Sequence, residues 1–84
     1  MMNPKLIVLL NNQILLSQIE EVGAEIGEPD CKLVDPYLII KDGKLERWLL
    51  GVTGENTFMI SSDKILTITE PSENLISDYK ELSK

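Results

Sequence analysis

Hydrophobic and polar positions change rhythm several times along this 84-residue chain, and each change marks an element. Lys5–Leu10 is a nearly continuous apolar run, Asn11-Asn12 breaks it, and Gln13–Val22 resumes apolar before alternating at Gln18-Ile19-Glu20. Such a run is what a strand shows when one end is covered on both faces and the other reaches a sheet edge. Asparagine tolerates positive φ, so the spacing predicts a tight hairpin at Asn11-Asn12. A helix is the competing reading. Asn3-Pro4 can open one with Pro4 at its first position, and Leu, Gln and Glu are good helix formers. The Ile and Val content and the mid-segment Asn pair weigh against one long helix.

Gly23, Gly27 and Pro29 mark 23–30 as a loop. Cys31–Ile40 reads as a strand interrupted at Asp35-Pro36, because proline cannot donate to a ladder and so sits at a bulge or an edge. Lys41-Asp42-Gly43-Lys44 predicts a hairpin, with Asp-Gly at the positive φ angles of a type I′ turn. Leu45–Val52 is then expected as a strand with Trp48, Leu50 and Val52 on one face, closed by a turn over Thr53–Asn56. Phe58 and Ile60 share a face in the next run. Leu66 and Ile68 follow the polar tetrad Ser61-Ser62-Asp63-Lys64. From Pro71 to Lys84 the period becomes helical, with Leu75, Ile76, Tyr79 and Leu82 in one stripe. Pro71 suits the first helical position, Glu70 or Ser72 can cap, and Glu73 complements the dipole. A helix of ~14 residues is marginal alone, so it has to pack on the sheet or on a neighbouring subunit. The expected architecture is one domain over 1–84. It is mainly β, a small, strongly bent sheet of about five antiparallel strands over 5–69 forming an open barrel, with one C-terminal α-helix over 71–84.

Composition narrows the setting. A domain this short buries a marginal core, and the usual staples are missing: there is one cysteine, Cys31, and no histidine. No intrachain disulfide can form, and no structural zinc site is expected. Self-association is the remaining way to cover apolar surface. Eight Lys+Arg against fourteen Asp+Glu give a net charge of −6, which argues against wrapping nucleic acid on the outer surface and leaves room only for a small local site. Leu6–Leu10 is far too short to span a bilayer and lacks the flanks of a signal peptide, so no membrane partner and a cytoplasmic setting are expected.

Candidate chemistry is sparse. Glu20 and Glu21 are neighbours on a strand and face opposite ways, and the acidic loop ending at Asp30 has the wrong spacing for calcium. Cys31 has no histidine to activate it and reads as a small buried hydrophobe. No triad, phosphate loop or dinucleotide fingerprint occurs, so neither an enzyme nor a cofactor is expected. Trp48 reads as a core anchor. Tyr37, beside Pro36, can stack on a base if the bulge aims it into a groove.

Met59-Ile60-Ser61-Ser62-Asp63-Lys64-Ile65-Leu66-Thr67-Ile68 has the spacing of a hydrophobic pair, Arg-Gly-(Asp/Asn) and Ile-x-x-Ile, the second motif of Sm-like proteins. Asn11-Asn12 at the first turn, Ser17 at the strand-glycine place and Ile26-Gly27 at the hydrophobic-Asn place echo the first motif. Residues 5–69 therefore resemble the Sm-like (LSm) family, with its SH3-like open barrel. The acidic composition and C-terminal helix are most similar to Sm-like proteins carried by phages, which would place the chain in the host cytoplasm. The resemblance implies a homo-oligomeric ring of about five to seven copies, its seam near Phe58, Ile60, Leu66 and Ile68. It implies single-stranded RNA, often uridine-rich, at Gly27, Ser61, Ser62, Asp63 and Lys64, with Tyr37 as a further candidate. The chain departs from the pattern where it matters: Ser61 replaces the Arg, Ser62 the Gly, and Gly27 the Asn. Loss of the Arg removes a stacking, charged donor. A protein-interaction ring without RNA affinity, in which the helix docks a protein partner or the adjacent subunit, is the alternative.

Overall fold

The computed structural model describes residues 3–83. Met1, Met2 and Lys84, the last residue of the expected helix, lie outside the described residues. Among the described residues there are six strands: β1 (Lys5–Leu9), β2 (Ile14–Glu21), β3 (Cys31–Ile39), β4 (Leu45–Arg47), β5 (Thr57–Ile60) and β6 (Ile65–Thr69). One helix, α1 (Glu73–Leu82), follows. The antiparallel sheet has the order β4-β3-β2-β1-β6, and β5 pairs with β3 beside β4.

The first hairpin forms where the asparagine pair predicts it. Asn12 takes φ 70°, and the Asn11 side chain accepts the Gln13 N–H at 3.0 Å, a local turn that offers the backbone an alternative to continuing the strand. The N-terminal half is therefore extended, not helical. At the second hairpin Asp42 and Gly43 both adopt positive φ, but the turn closes from Ile40 N–H to the Lys44 carbonyl. Three residues, Lys41–Gly43, wind through a short 3-10 turn in place of the two of a type I′ turn.

The Asp35-Pro36 interruption is a bulge. Leu16 faces Tyr37 and Gln18 faces Val34, so two steps along β2 match three along β3. Asp35 sits at φ 52°, a conformation aspartate tolerates better than most residues. The bulge also corrects the expected strand over Leu45–Val52. Trp48 N–H still reaches the Pro36 carbonyl at 3.1 Å, but Asp35 N–H is taken by the Asn56 carbonyl at 2.8 Å. The edge of β3 thus changes partner from β4 to β5 at the bulge. Residues 49–55 have no ladder to join and leave the sheet, with Leu49 and Gly51 at positive φ. Leu50 and Val52 are consequently 63% and 78% exposed, not core-facing beside Trp48.

Each face of the sheet carries its own core. On one, Ile7, Leu9, Leu15 and Leu33 are buried, with Trp48, Phe58 and Ile60 packed against them. Trp48 meets Phe58 edge to face at 5.4 Å, the anchor expected of it. On the other, Leu16 and Tyr37 are covered by α1 through Tyr79 and Leu75. The helix therefore packs on its own sheet. Ser72 caps it, its hydroxyl accepting the Leu75 N–H, and Pro71 is buried one residue before the cap, not at the first helical position. Tyr79 is fully buried. Its hydroxyl donates to the Val34 carbonyl at 3.1 Å and accepts from the Gln18 amide at 3.3 Å. Burial holds that phenol above its ordinary value of 10.0, so it stays protonated and donating. Ser17 is buried between the layers, satisfied by the Gln18 and Val34 carbonyls at 2.8 and 3.1 Å.

Candidate functional site

The loop between β2 and β3 and the turn between β5 and β6 are far apart in sequence, yet they converge. A cavity of about 370 Å³ lies between them, lined by residues 24–28 and 61–63 together with Asp30. The antiparallel order brings them there: Cys31 pairs with Ile60, so the residues just before β3 and just after β5 fall side by side. Asp30 fastens the two. Its carboxylate accepts the Ser62 N–H at 2.7 Å and the Ser62 hydroxyl at 2.8 Å. Those two bonds hold the Asp30 carboxyl below its ordinary value of 3.8, the backbone N–H contributing most. Gly27 turns the loop at φ 91°, which an L side chain rarely adopts.

Of the expected RNA-binding residues, Gly27, Ser61, Ser62 and Asp63 line this cavity. Lys64 ends the 3-10 turn, donating its N–H to the Ser61 carbonyl and accepting the Leu10 N–H at 2.9 Å, so its backbone ties the tetrad to the end of β1. Tyr37 is placed elsewhere. It is buried under α1, meets Tyr79 edge to face at 5.6 Å and donates its hydroxyl to the Leu82 carbonyl. A ring held there is a core contact and presents no face for a base.

The chemistry of the cavity is acidic. Glu25, Glu28, Asp30 and Asp63 line it with no Lys or Arg among the lining residues. The donors of Ser62, which a base edge would need, are spent on Asp30. Asp30 organises the site, although its loop offered the sequence only a spacing wrong for calcium. Nothing local marks it, because its partner is 32 residues away. Among the described residues no group of three or more His, Cys, Asp or Glu side chains is placed to hold a metal ion. No helix among them is long and apolar enough to cross a membrane.

A second, more apolar cavity of about 480 Å³ opens on the other side of the same turn, walled by Ile19, Cys31, Ile65, Leu66 and Ile68, with Glu20 and Glu21 at its rim. Cys31 is buried in its wall, and burial first, then the charges of Asp30 and Glu21, push its thiol up. On β6, Ile68 lies opposite the buried Ile7 and Ile65 opposite the buried Leu9, so both face the core side, and Leu66 is the extra residue of the bulge between them. Ile68 is nevertheless 49% exposed, and Leu66 62%. Phe58 and Ile60 are half-buried against the core on β5. Among the described residues β6 pairs only with β1, and β5 only with β3, so each keeps one unpaired edge.

The fold and these edges define a mainly β domain, one antiparallel sheet carrying a C-terminal helix. The model of a family of unknown function (DUF6561) matches residues 2–84, and the chain belongs to that family. No curated protein matches it.

Proposed function

We propose that this chain is an Sm-like module, its sheet bent into an open barrel, that assembles into a homo-oligomeric ring by adding the β5 edge of one copy to the β6 edge of the next. One observation carries the reading. Ile68 lies on the core side of the sheet, opposite the buried Ile7, yet it stands half exposed beside the exposed Leu66 on an open edge strand. An apolar edge with unpaired N–H and C=O groups is an aggregation hazard, and closed cyclic pairing satisfies every copy at once. Native mass measurement across a dilution series tests this. A discrete species of about five to seven copies is expected. A monomer at every concentration would end the proposal.

Within that assembly we favour a protein-holding scaffold over an RNA clamp. The cavity between the two loops is walled by carboxylates, and a polyanion approaching it meets like charge without compensating donors. The RNA reading retains one specific support: Gly27, Ser61, Ser62 and Asp63, which the resemblance implies as RNA contacts, share one cavity. A mobility-shift assay with a uridine-rich oligonucleotide at low salt separates the two. The scaffold reading expects no shift, with or without Ser61→Arg. A salt-sensitive shift of the unaltered protein would restore RNA as the ligand.

A further inference from the structure

The residues that leave the sheet between β4 and β5 form an uncharged, apolar excursion. Trp48-Leu49-Leu50-Gly51-Val52-Thr53-Gly54 is seven residues without a charge in a chain where 26% are charged. Leu50 and Val52 are its most exposed side chains. Leu49 holds φ 61°, which costs a γ-branched residue on the order of 1 kcal/mol and persists only where the surroundings impose it. β6, Ile65–Thr69, is also uncharged and exposed, and the two stretches lie at opposite edges of the sheet.

We infer that this excursion is a clasp for a second copy of the chain, laying Leu50 and Val52 over the Ile68 end of the neighbour's β6. The inference rests on the edge-to-edge assembly proposed above and names a contact that pairing alone does not include. Three arguments select the occupant. Antiparallel addition of β5 to a neighbouring β6 sets the residues before Thr57 beside those after Ile68, which is where the excursion would arrive. The area demands it. β5 has four residues, about 13 Å of strand, and so short an edge cannot by itself supply the roughly 800 Å² per partner of a stable interface, so something adjoining the strand has to add surface. Charge agrees as well. Copies that each carry −6 repel, and two uncharged stretches are where they can approach with least cost.

Sedimentation velocity on the full chain tests the clasp. Leu50→Ser/Val52→Ser alters only exposed side chains, so far-ultraviolet circular dichroism should match the unaltered protein. Its assembly midpoint should rise about tenfold or more. Leu10→Ser, equally solvent-facing but outside both stretches, should leave the midpoint unchanged. In a Cys31→Ser background, Val52→Cys/Ile68→Cys should give a ladder of disulfide-linked multimers under oxidation, whereas either cysteine alone stops at dimers. Assembly that survives Leu50→Ser/Val52→Ser, forms no ladder, and yet is lost with Leu66→Glu would overturn the clasp and leave the edge pairing standing. A protein monomeric at every concentration overturns both.

Discussion

Tyr79 offers the most direct perturbation of how helix and sheet are joined. Its hydroxyl is the one polar atom of a fully buried ring, donating to the Val34 carbonyl beside the bulge and accepting from Gln18. Tyr79→Phe keeps the ring and deletes both bonds. At ~1 kcal/mol net per bond the cost is about 1–2 kcal/mol, the Val34 carbonyl keeping the Ser17 hydroxyl as a partner. Tyr79→Ala also removes the edge-to-face contact with Tyr37 and leaves a cavity, raising the cost to about 3–5 kcal/mol. A domain of this length has roughly 4–12 kcal/mol in all, so the alanine variant should sit near the edge of folding. Urea denaturation is the assay. Tyr79→Phe should lower the midpoint by about 1 M without changing the slope. Amide exchange in α1 should accelerate more than in β2 when Tyr79→Ala is made, because the helix loses its anchor first. If Tyr79→Phe unfolds at the same urea concentration as the unaltered protein, the bonds to Val34 and Gln18 contribute nothing. If Tyr79→Ala costs under about 1 kcal/mol, the helix is held by something other than its own sheet.

Two further outcomes follow from local geometry. Asn12→Ala should destabilise by about 1 kcal/mol while Asn12→Gly stays within a few tenths, since the position demands positive φ; thermal unfolding of the pair separates backbone from side-chain effects. The Asp30 carboxyl is held below its ordinary value by Ser62, so the Asp30–Ser62 bonds contribute stability above about pH 4 and lose it as pH falls through the lowered value. The protection factor of the Ser62 amide, the NMR exchange rate divided into the intrinsic rate at each pH, should fall over that acid window and show no such step in Asp30→Asn; protection unchanged down to full protonation would contradict the bond.

Several elements were legible because their causes are local. The Asn pair, the Ser72 cap and the stripe of Leu75 and Tyr79 each act within a few residues, and the structure carries them; the Asp-Gly turn falls where expected but closes over three residues, not two. Proline at position 36 marked the bulge, because a missing donor is written in the residue itself. Leu45–Val52 misled for an instructive reason. Its alternation suits a strand, but the partner that would have paired with it, β3, has its donor at Asp35 committed to Asn56. Tyr37 misled likewise: a bulge can aim a side chain either way, and the arrival of α1 decided that it faces inward.

By itself the sequence determined where the chain turns, where its period is two or near 3.6, and how little titratable chemistry it holds, since these depend on neighbours along the backbone. Only the tertiary structure decided that Asp30 meets Ser62, that the expected RNA cavity is lined with carboxylates, that the helix lies on its own sheet, and that Leu50 and Val52 stand outside it. Those outcomes are competitions for hydrogen-bond donors and apolar surface between segments tens of residues apart, and the packing of the whole domain settles them together.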